Sequence, residues 1–257
     1  MNKIITIVSI LILGPFLVLG QKSIQASDIE IHTQLTFLKV SHRDVVNFER
    51  DMGLLRKLSK EGKLEEHFDW LTYRSDTDQY LIINFSNGLD DILTLEGYRN
   101  AFHEKGTGEA FDALIKSMAD LNISVERNYI IQMLLPWSTV AAISVSEFPL
   151  ATMTEYDIPT NTIEQFDVAM RQLVALLKKT DYPYPLESNR GSIGAYGTMA
   201  LVWFYDDQDD YMGKNNLLNW MERHGATQTL QSIVNMLDSI SESTRTYNLR
   251  YEKSLSY

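Results

Sequence analysis

Two arginine–tyrosine pairs, Arg127-x-Tyr129 and Arg245-x-Tyr247, are the residues of this chain best suited to chemistry on a small polar molecule. On a strand, a spacing of two points both side chains to one side, where a guanidinium and a phenol can bind an anion or orient a substrate. The structural alternative has each arginine bridging to a helix carboxylate such as Asp120 or Asp238, with the tyrosine as packing. Tyr80 and Asn84 share a strand face in an apolar stretch, and the positions aligned with them in the second half are Thr198 and Val202. Such an asymmetric polar patch suits a ligand-facing wall, or else a satisfied buried asparagine. These six residues, Tyr80, Asn84, Arg127, Tyr129, Arg245 and Tyr247, are the candidate ligand-binding set. Trp70, Tyr73, Trp203 and Tyr205 read as core aromatics.

The histidines form no metal signature. His67 follows Glu65 and Glu66, and His103 precedes Glu104, but no His-x-x-x-His pair exists. In the second half His224 alone occurs, and it sits beside Gly225 at a helix break, which reads as a solvent-exposed helix terminus, so no metal or cofactor is expected. No nucleophile elbow, phosphate loop or dinucleotide fingerprint is present. The acidic cluster Asp206, Asp207, Asp209 and Asp210 lacks calcium-loop spacing and reads as a helix entry. Asn84-Phe-Ser86 and Asn122-Ile-Ser124 match the glycosylation pattern but fall in or beside predicted structure.

The chain has 257 residues, 34 acidic against 23 basic side chains, and no cysteine. That excludes disulfides and thiolate sites. The formal charge of -11, without a basic block, argues against nucleic acid as a partner. At the front, Lys3 precedes the apolar run Ile4 to Leu19. As a helix this run spans about 24 Å, short of a bilayer core but suited to a secretory signal. The segment 1–20 is therefore the expected signal, with cleavage after Gly20 or alternatively after Ala26, and the product is expected to be periplasmic or secreted without a stable membrane span.

An ungapped offset of 118 residues brings like residues together. Phe48 meets Phe166, Met52 meets Met170, Leu55 meets Leu173, Leu58 meets Leu176, Met118 meets Met236, Arg127 meets Arg245 and Tyr129 meets Tyr247. Two copies of one unit follow, spanning 30–136 and 148–257, with 137–147 as linker. In the first, strand Thr33–Val40 leads through a Ser41/Asp44 capping pair into a helix running to Gly62. A hairpin follows, His67–Arg74 and Gln79–Ser86, then helical sequence from Leu89 to Leu121 broken at Gly106, then strand Val125–Leu135. The second repeats the order: strand Leu150–Ile158, an Asn161/Glu164 capping box and helix, strands Glu187–Tyr196 and Met199–Tyr205, helices Gln208–Arg223 and Thr227–Ile240, and strand Thr244–Glu252. Each half is β-α-β-β-α-β, the ferredoxin-like pattern.

In one such unit the helices cover one sheet face, and the other should alternate apolar and polar if it meets water. Strands Gln79–Ser86 and Met199–Tyr205 are instead apolar on both sides. The expected cover for the second side, where Tyr80 and Asn84 are placed, is the other copy, giving an α+β fold of two ferredoxin-like repeats in an intrachain α/β barrel. This doubled order with a broken second helix resembles the dimeric α/β-barrel superfamily of the antibiotic-biosynthesis-monooxygenase type, fused in tandem. The resemblance implies a ligand cavity, and its members include cofactor-free oxygenases, haem enzymes of the chlorite dismutase group and proteins without known activity. The expectation is an exported, monomeric, non-catalytic protein that binds a small molecule between its halves. A cofactor-free or haem-dependent oxidoreductase, and a structural or partner-binding envelope protein, are the alternatives.

Overall fold

The computed structural model describes residues 32–64, 70–75, 77, 79–86, 95–134, 137–139, 148–207, 213 and 216–256. The expected signal and most of the expected linker lie outside them, as do His67, Asp209 and Asp210. The class is α+β. The strands are β1 (His32–Val40), β2 (Trp70–Ser75), β3 (Gln79–Ser86), β4 (Ile123–Met133), β5 (Leu150–Asp157), β6 (Leu186–Ile193), β7 (Thr198–Tyr205) and β8 (Ser243–Tyr251). The described helices are α1 (Val45–Glu61), α2 (Leu95–Glu104), α3 (Gly108–Ala119), α4 (Ile163–Lys179), α5 (Leu217–Arg223) and α6 (Thr227–Ile240). Among the described residues no helix is long and apolar enough to cross a membrane.

The chain divides into two compact units, one running to Ile131 and taking in Glu252 to Tyr257, the other running from Gln132 to Tyr251. In the first unit the strands are hydrogen-bonded in the order β4-β1-β3-β2, and in the second in the order β8-β5-β7-β6. In the first unit, Val45, Phe48, Met52 and Leu58 recur at helical spacing and form one core with Leu38, Val40, Tyr80 and Ile82 of the sheet and Phe102, Phe111, Leu114 and Met118 of α2 and α3. In the second, Phe166, Met170, Leu173 and Leu177 of α4 pack with Leu186, Met199 and Leu201 and with Leu230, Ile233 and Leu237 of α6. Full burial of such side chains stabilises by about 1.5–3 kcal/mol each.

Both long helices stop alike. Lys63 and Asp181 adopt positive φ, 53° and 48°, just past α1 and α4. Leu64 N–H donates to the Ser59 carbonyl, and Tyr182 N–H to the Leu177 carbonyl, closing a Schellman turn in each case. The expected side-chain caps are absent: a short 3-10 turn precedes each helix, and neither Asp44 nor Thr162 makes a side-chain cap bond. The extra turn moves Ser41 and Asn161 off the capping position. The second helical stretch breaks at Gly106 and Gly225, both at positive φ, as the sequence predicts.

The sheet face turned away from the helices is closed to water as well. Leu35, Phe37, Tyr73, Leu81 and Tyr129 are buried in the first unit, and Met153, Glu155, Asn189, Ala200 and Leu249 in the second. One expectation needs correcting. Leu38 pairs with Tyr80 and Tyr156 with Met199. Leu38 and Tyr156 stand 118 apart, but Tyr80 and Met199 stand 119 apart. The connection from β6 to β7 is longer than that from β2 to β3, and the ungapped comparison slips there by one residue. A slip of one exchanges the faces of a strand. The counterparts of Tyr80 and Asn84 are thus Met199 and Trp203, not Thr198 and Val202.

Candidate functional site

The slip decides which wall the candidate residues occupy. Tyr80 and Asn84 lie on the helix-covered face of β3, not on the opposite face. Tyr80 is fully buried, its ring centroid 4.7 Å from that of Phe48 on α1. Its hydroxyl donates to Glu49 Oε1 at 2.6 Å, and Arg74 Nη1 reaches the same oxygen at 3.2 Å. Burial, reinforced by the Glu49 carboxylate, pushes the phenol well above its ordinary range. Tyr80 therefore stays protonated and ties α1 to the hairpin. This is a structural arrangement.

Asn84 is different. It is half-buried, and its carboxamide makes no hydrogen bond among the described residues. Directly across from it on β1 is Gln34, and on the far side Trp70 of β2. Gln34 Nε2 donates to Asn128 Oδ1 of β4 at 3.0 Å, and Thr36 Oγ1 to the same oxygen at 3.4 Å. Three carboxamides from three strands thus gather on the helix-covered face of the first unit, with Gln34 and Thr36 buried and Asn84 and Asn128 half-buried. The second unit has Thr152, Thr154, Trp203 and Thr246 in the corresponding register, with Thr154 and Thr246 hydroxyls 3.3 Å apart. Sequence reasoning found Asn84 and missed Gln34, Thr36 and Asn128. The strict alternation along His32–Val40 was the signal that could have placed Gln34 and Thr36 on the same side as Leu38.

The two Arg-x-Tyr pairs diverge. Arg127 lies over the Phe37 ring at 4.2 Å and over Tyr129 at 5.7 Å, a cation–π arrangement on the helix-free face. Tyr129 is buried and stacks on Phe37. Arg245 instead meets strand carboxylates, with Nη2 3.2 Å from Asp157 Oδ2 and Nη1 3.9 Å from Glu155 Oε2. Asp157 also accepts from Thr198 Oγ1 at 3.2 Å and from Ser243 Oγ. The Arg245 partners are thus neighbours on the adjacent strand β5 rather than the helix residue Asp238. Tyr247 is half-buried opposite Met153. The structure brings Arg127 to Tyr129 and leaves both apart from Asn84, which occupies the other face. Asp206 and Asp207 are exposed.

No family model matches this chain, and no curated protein matches it by sequence. Solved structures do. A provisionally assigned monooxygenase from Fusobacterium nucleatum subsp. nucleatum matches with a TM-score of 0.55 at 11% identity, over 87% of this chain and 93% of that one. A second provisionally assigned monooxygenase, from Lactobacillus acidophilus NCFM, matches at 0.52 and 11%, over 86% and 94%. A chlorite dismutase variant from Candidatus Nitrospira defluvii matches at 0.50 and 9%, over 87% and 92%. The expected monomeric state gains no support from these likenesses.

Haem needs an axial ligand held in a largely apolar pocket. His103 is exposed, its Nε2 3.1 Å from Asp112 Oδ2. His224 is exposed too, stacked at 4.7 Å on Trp220 with Nδ1 2.8 Å from that residue's carbonyl oxygen. His42 is likewise exposed. These three side chains do not fit the group. Among the described residues no cluster of three or more metal-binding side chains occurs. What the comparisons share with this chain is its fold, and identities of 9–11% show no more than that.

Proposed function

We propose that this is an exported protein that binds a small, neutral, hydroxyl- or carbonyl-bearing molecule at the Gln34–Asn84–Asn128 cluster of its first unit. The observation that carries this reading is the half-buried Asn84 carboxamide, which leaves both a donor and an acceptor unused among the described residues beside Gln34. A neutral polar ligand supplies both partners, and the surrounding core supplies apolar contact. Carboxamides orient such a ligand without the desolvation cost of a buried charge. Tyr80 holds the floor of this face to α1, and Arg127, Tyr129, Arg245 and Tyr247 act on the other face as packing and strand-to-strand links.

Export rests on the segment 1–20, and descent of the two units from one duplicated sequence rests on the offset of 118 and on the matching helix ends. Sequencing the N-terminus of the secreted product, with Gln21 or Ser27 as first residue, tests the export part. Thermal denaturation against a library of small neutral metabolites tests the binding part. Ligand at 100 times its dissociation constant adds about 2.7 kcal/mol to stability. Asn84→Ala and Asn128→Ala should each weaken the hit about tenfold. A library without a stabilising member removes the proposal.

The second reading, a cofactor-free or haem-dependent oxidoreductase, draws on likeness of fold alone. Titration of the purified protein with haem tests its haem-dependent branch: a Soret band that saturates at one equivalent favours that branch, and none removes it.

A further inference from the structure

The second unit carries a polar pair on its helix-free face, Asn189 buried and Glu187 half-buried, that none of the preceding roles uses. Glu187 and Asn189 are two apart on β6 and share that face. Asn189 Nδ2 donates to Glu187 Oε1 at 2.9 Å. Asn189 is 1% exposed, and its Oδ1 has no hydrogen-bond partner. A buried carbonyl oxygen left unpaired costs about 1–3 kcal/mol, so a fold that keeps one has a use for it or a ligand to fill it. Opposite Asn189 on β7 is Ala200, fully buried, and opposite Glu187 is Val202. In the first unit the matching cross-strand row runs Phe37, Leu81, Tyr73, apolar apart from one phenol. The polarity at this level therefore belongs to the second unit.

We propose that Glu187 and Asn189 form a binding site for the amide edge of a small neutral molecule, a primary carboxamide or lactam whose N–H donates to Asn189 Oδ1 and whose C=O accepts from the Glu187 carboxyl. Burial raises the Glu187 carboxyl above its ordinary range, and the Asn189 hydrogen bond only partly offsets this. In the acid form, with one oxygen already accepting from Asn189, the other oxygen carries the O–H. Adjacent donor and acceptor then mirror the N–H and C=O of an amide. A cationic amine would match Asn189 but would place a charge near Met153, Ala200 and Phe204, which are buried and apolar, while the buried Glu155 carboxylate across Ala200 is already met by Arg245.

The test is titration of the full-length protein with 2-pyrrolidinone and propionamide, followed by thermal shift and ligand-observed NMR, with methylammonium chloride as the comparison. Saturable binding of the lactam is expected, weakened at least about tenfold in Asn189→Leu, which keeps the shape and removes the acceptor. Glu187→Gln, whose amide N–H replaces the acid O–H, should retain affinity within about threefold, and Glu187→Leu should lose it. If the leucine variants fail to fold, Asn189→Ala and Glu187→Met make the same comparison. Absence of saturation up to the solubility of the lactam overturns the proposal. So does unchanged affinity in the Asn189 variants, loss of binding in a folded Glu187→Gln, or tighter binding of methylammonium than of either amide.

Discussion

The C-terminal residues offer the sharpest test of how the first unit holds together. After β8 the chain returns to that unit: Glu252 N–H donates to the Thr72 carbonyl at 2.8 Å, and Trp70 Nε1 donates to the Leu255 carbonyl at 2.7 Å. Thr72 Oγ1 shares the Leu255 carbonyl at 3.1 Å, and Thr72 N–H donates to Ser256 Oγ at 2.8 Å. The Leu255 side chain is buried in one cluster with Phe48, Met52 and Trp70. Leu255→Ala should cost about 2–5 kcal/mol, since the site is lined by large side chains that cannot all collapse into the space. Ser256→Ala leaves a buried N–H on β2 without its acceptor and should cost about 1–3 kcal/mol. Urea unfolding followed by tryptophan fluorescence reads the first, and hydrogen exchange of the Thr72 amide reads the second. A Leu255→Ala protein within about 0.5 kcal/mol of wild type, the range of ordinary surface substitutions, together with unchanged Thr72 exchange in Ser256→Ala, would refute the reasoning.

Other outcomes follow from local geometry. A folded carboxyl whose pKa lies above its unfolded value stabilises below the unfolded pKa, and that contribution is lost as pH rises through the folded one. Glu187→Gln should therefore gain stability over wild type at pH 8 and show no gain in acid, checked by denaturant melts across pH. Asp112 runs the other way. The hydrogen bond from Arg99 at 2.6 Å holds its carboxyl below the usual range, so the contribution is present above the unfolded pKa and fades as pH falls through the folded one. NMR titration of Asp112 in wild type and Arg99→Ala should show its midpoint rising in the variant. A Cβ added at Gly191 would sit 2.0 Å from the Ala195 carbonyl oxygen, so Gly191→Ala must move the β6–β7 hairpin and should cost about 1–3 kcal/mol, read as a fall in Tm.

Local pattern was legible in this sequence, and long-range register was not. The helix Thr227–Ile240 matches its predicted bounds because apolar residues at spacings of three and four mark a helix without any tertiary information. Phe48, Met52, Phe166 and Met170 face their cores for the same reason. Caps were less legible, since Ser41 and Asn161 have the right chemistry but the chain inserts a 3-10 turn that periodicity does not register. The wall assigned to Tyr80 and Asn84 failed through period-two geometry, where one uncounted residue before β7 turns every side chain over. Arg245 was paired with a helix acid because its actual partners, Glu155 and Asp157, become neighbours only through strand pairing some ninety residues away in sequence. Gln34 and Asn128 were overlooked for the same reason: each is unremarkable on its own strand, and their meeting depends on the order of β1, β3 and β4 in the sheet.

The ligand reading of the first unit is decided most directly by the side-chain NH₂ resonances of Gln34, Asn84 and Asn128 in ¹⁵N-labelled protein, followed while a stabilising hit from the metabolite screen is added. If the carboxamide cluster is the site, these three pairs shift with one common dissociation constant, and the Asn84 pair is lost with the response in Asn84→Ala. A hit that stabilises the protein yet leaves all three pairs in place would contradict it.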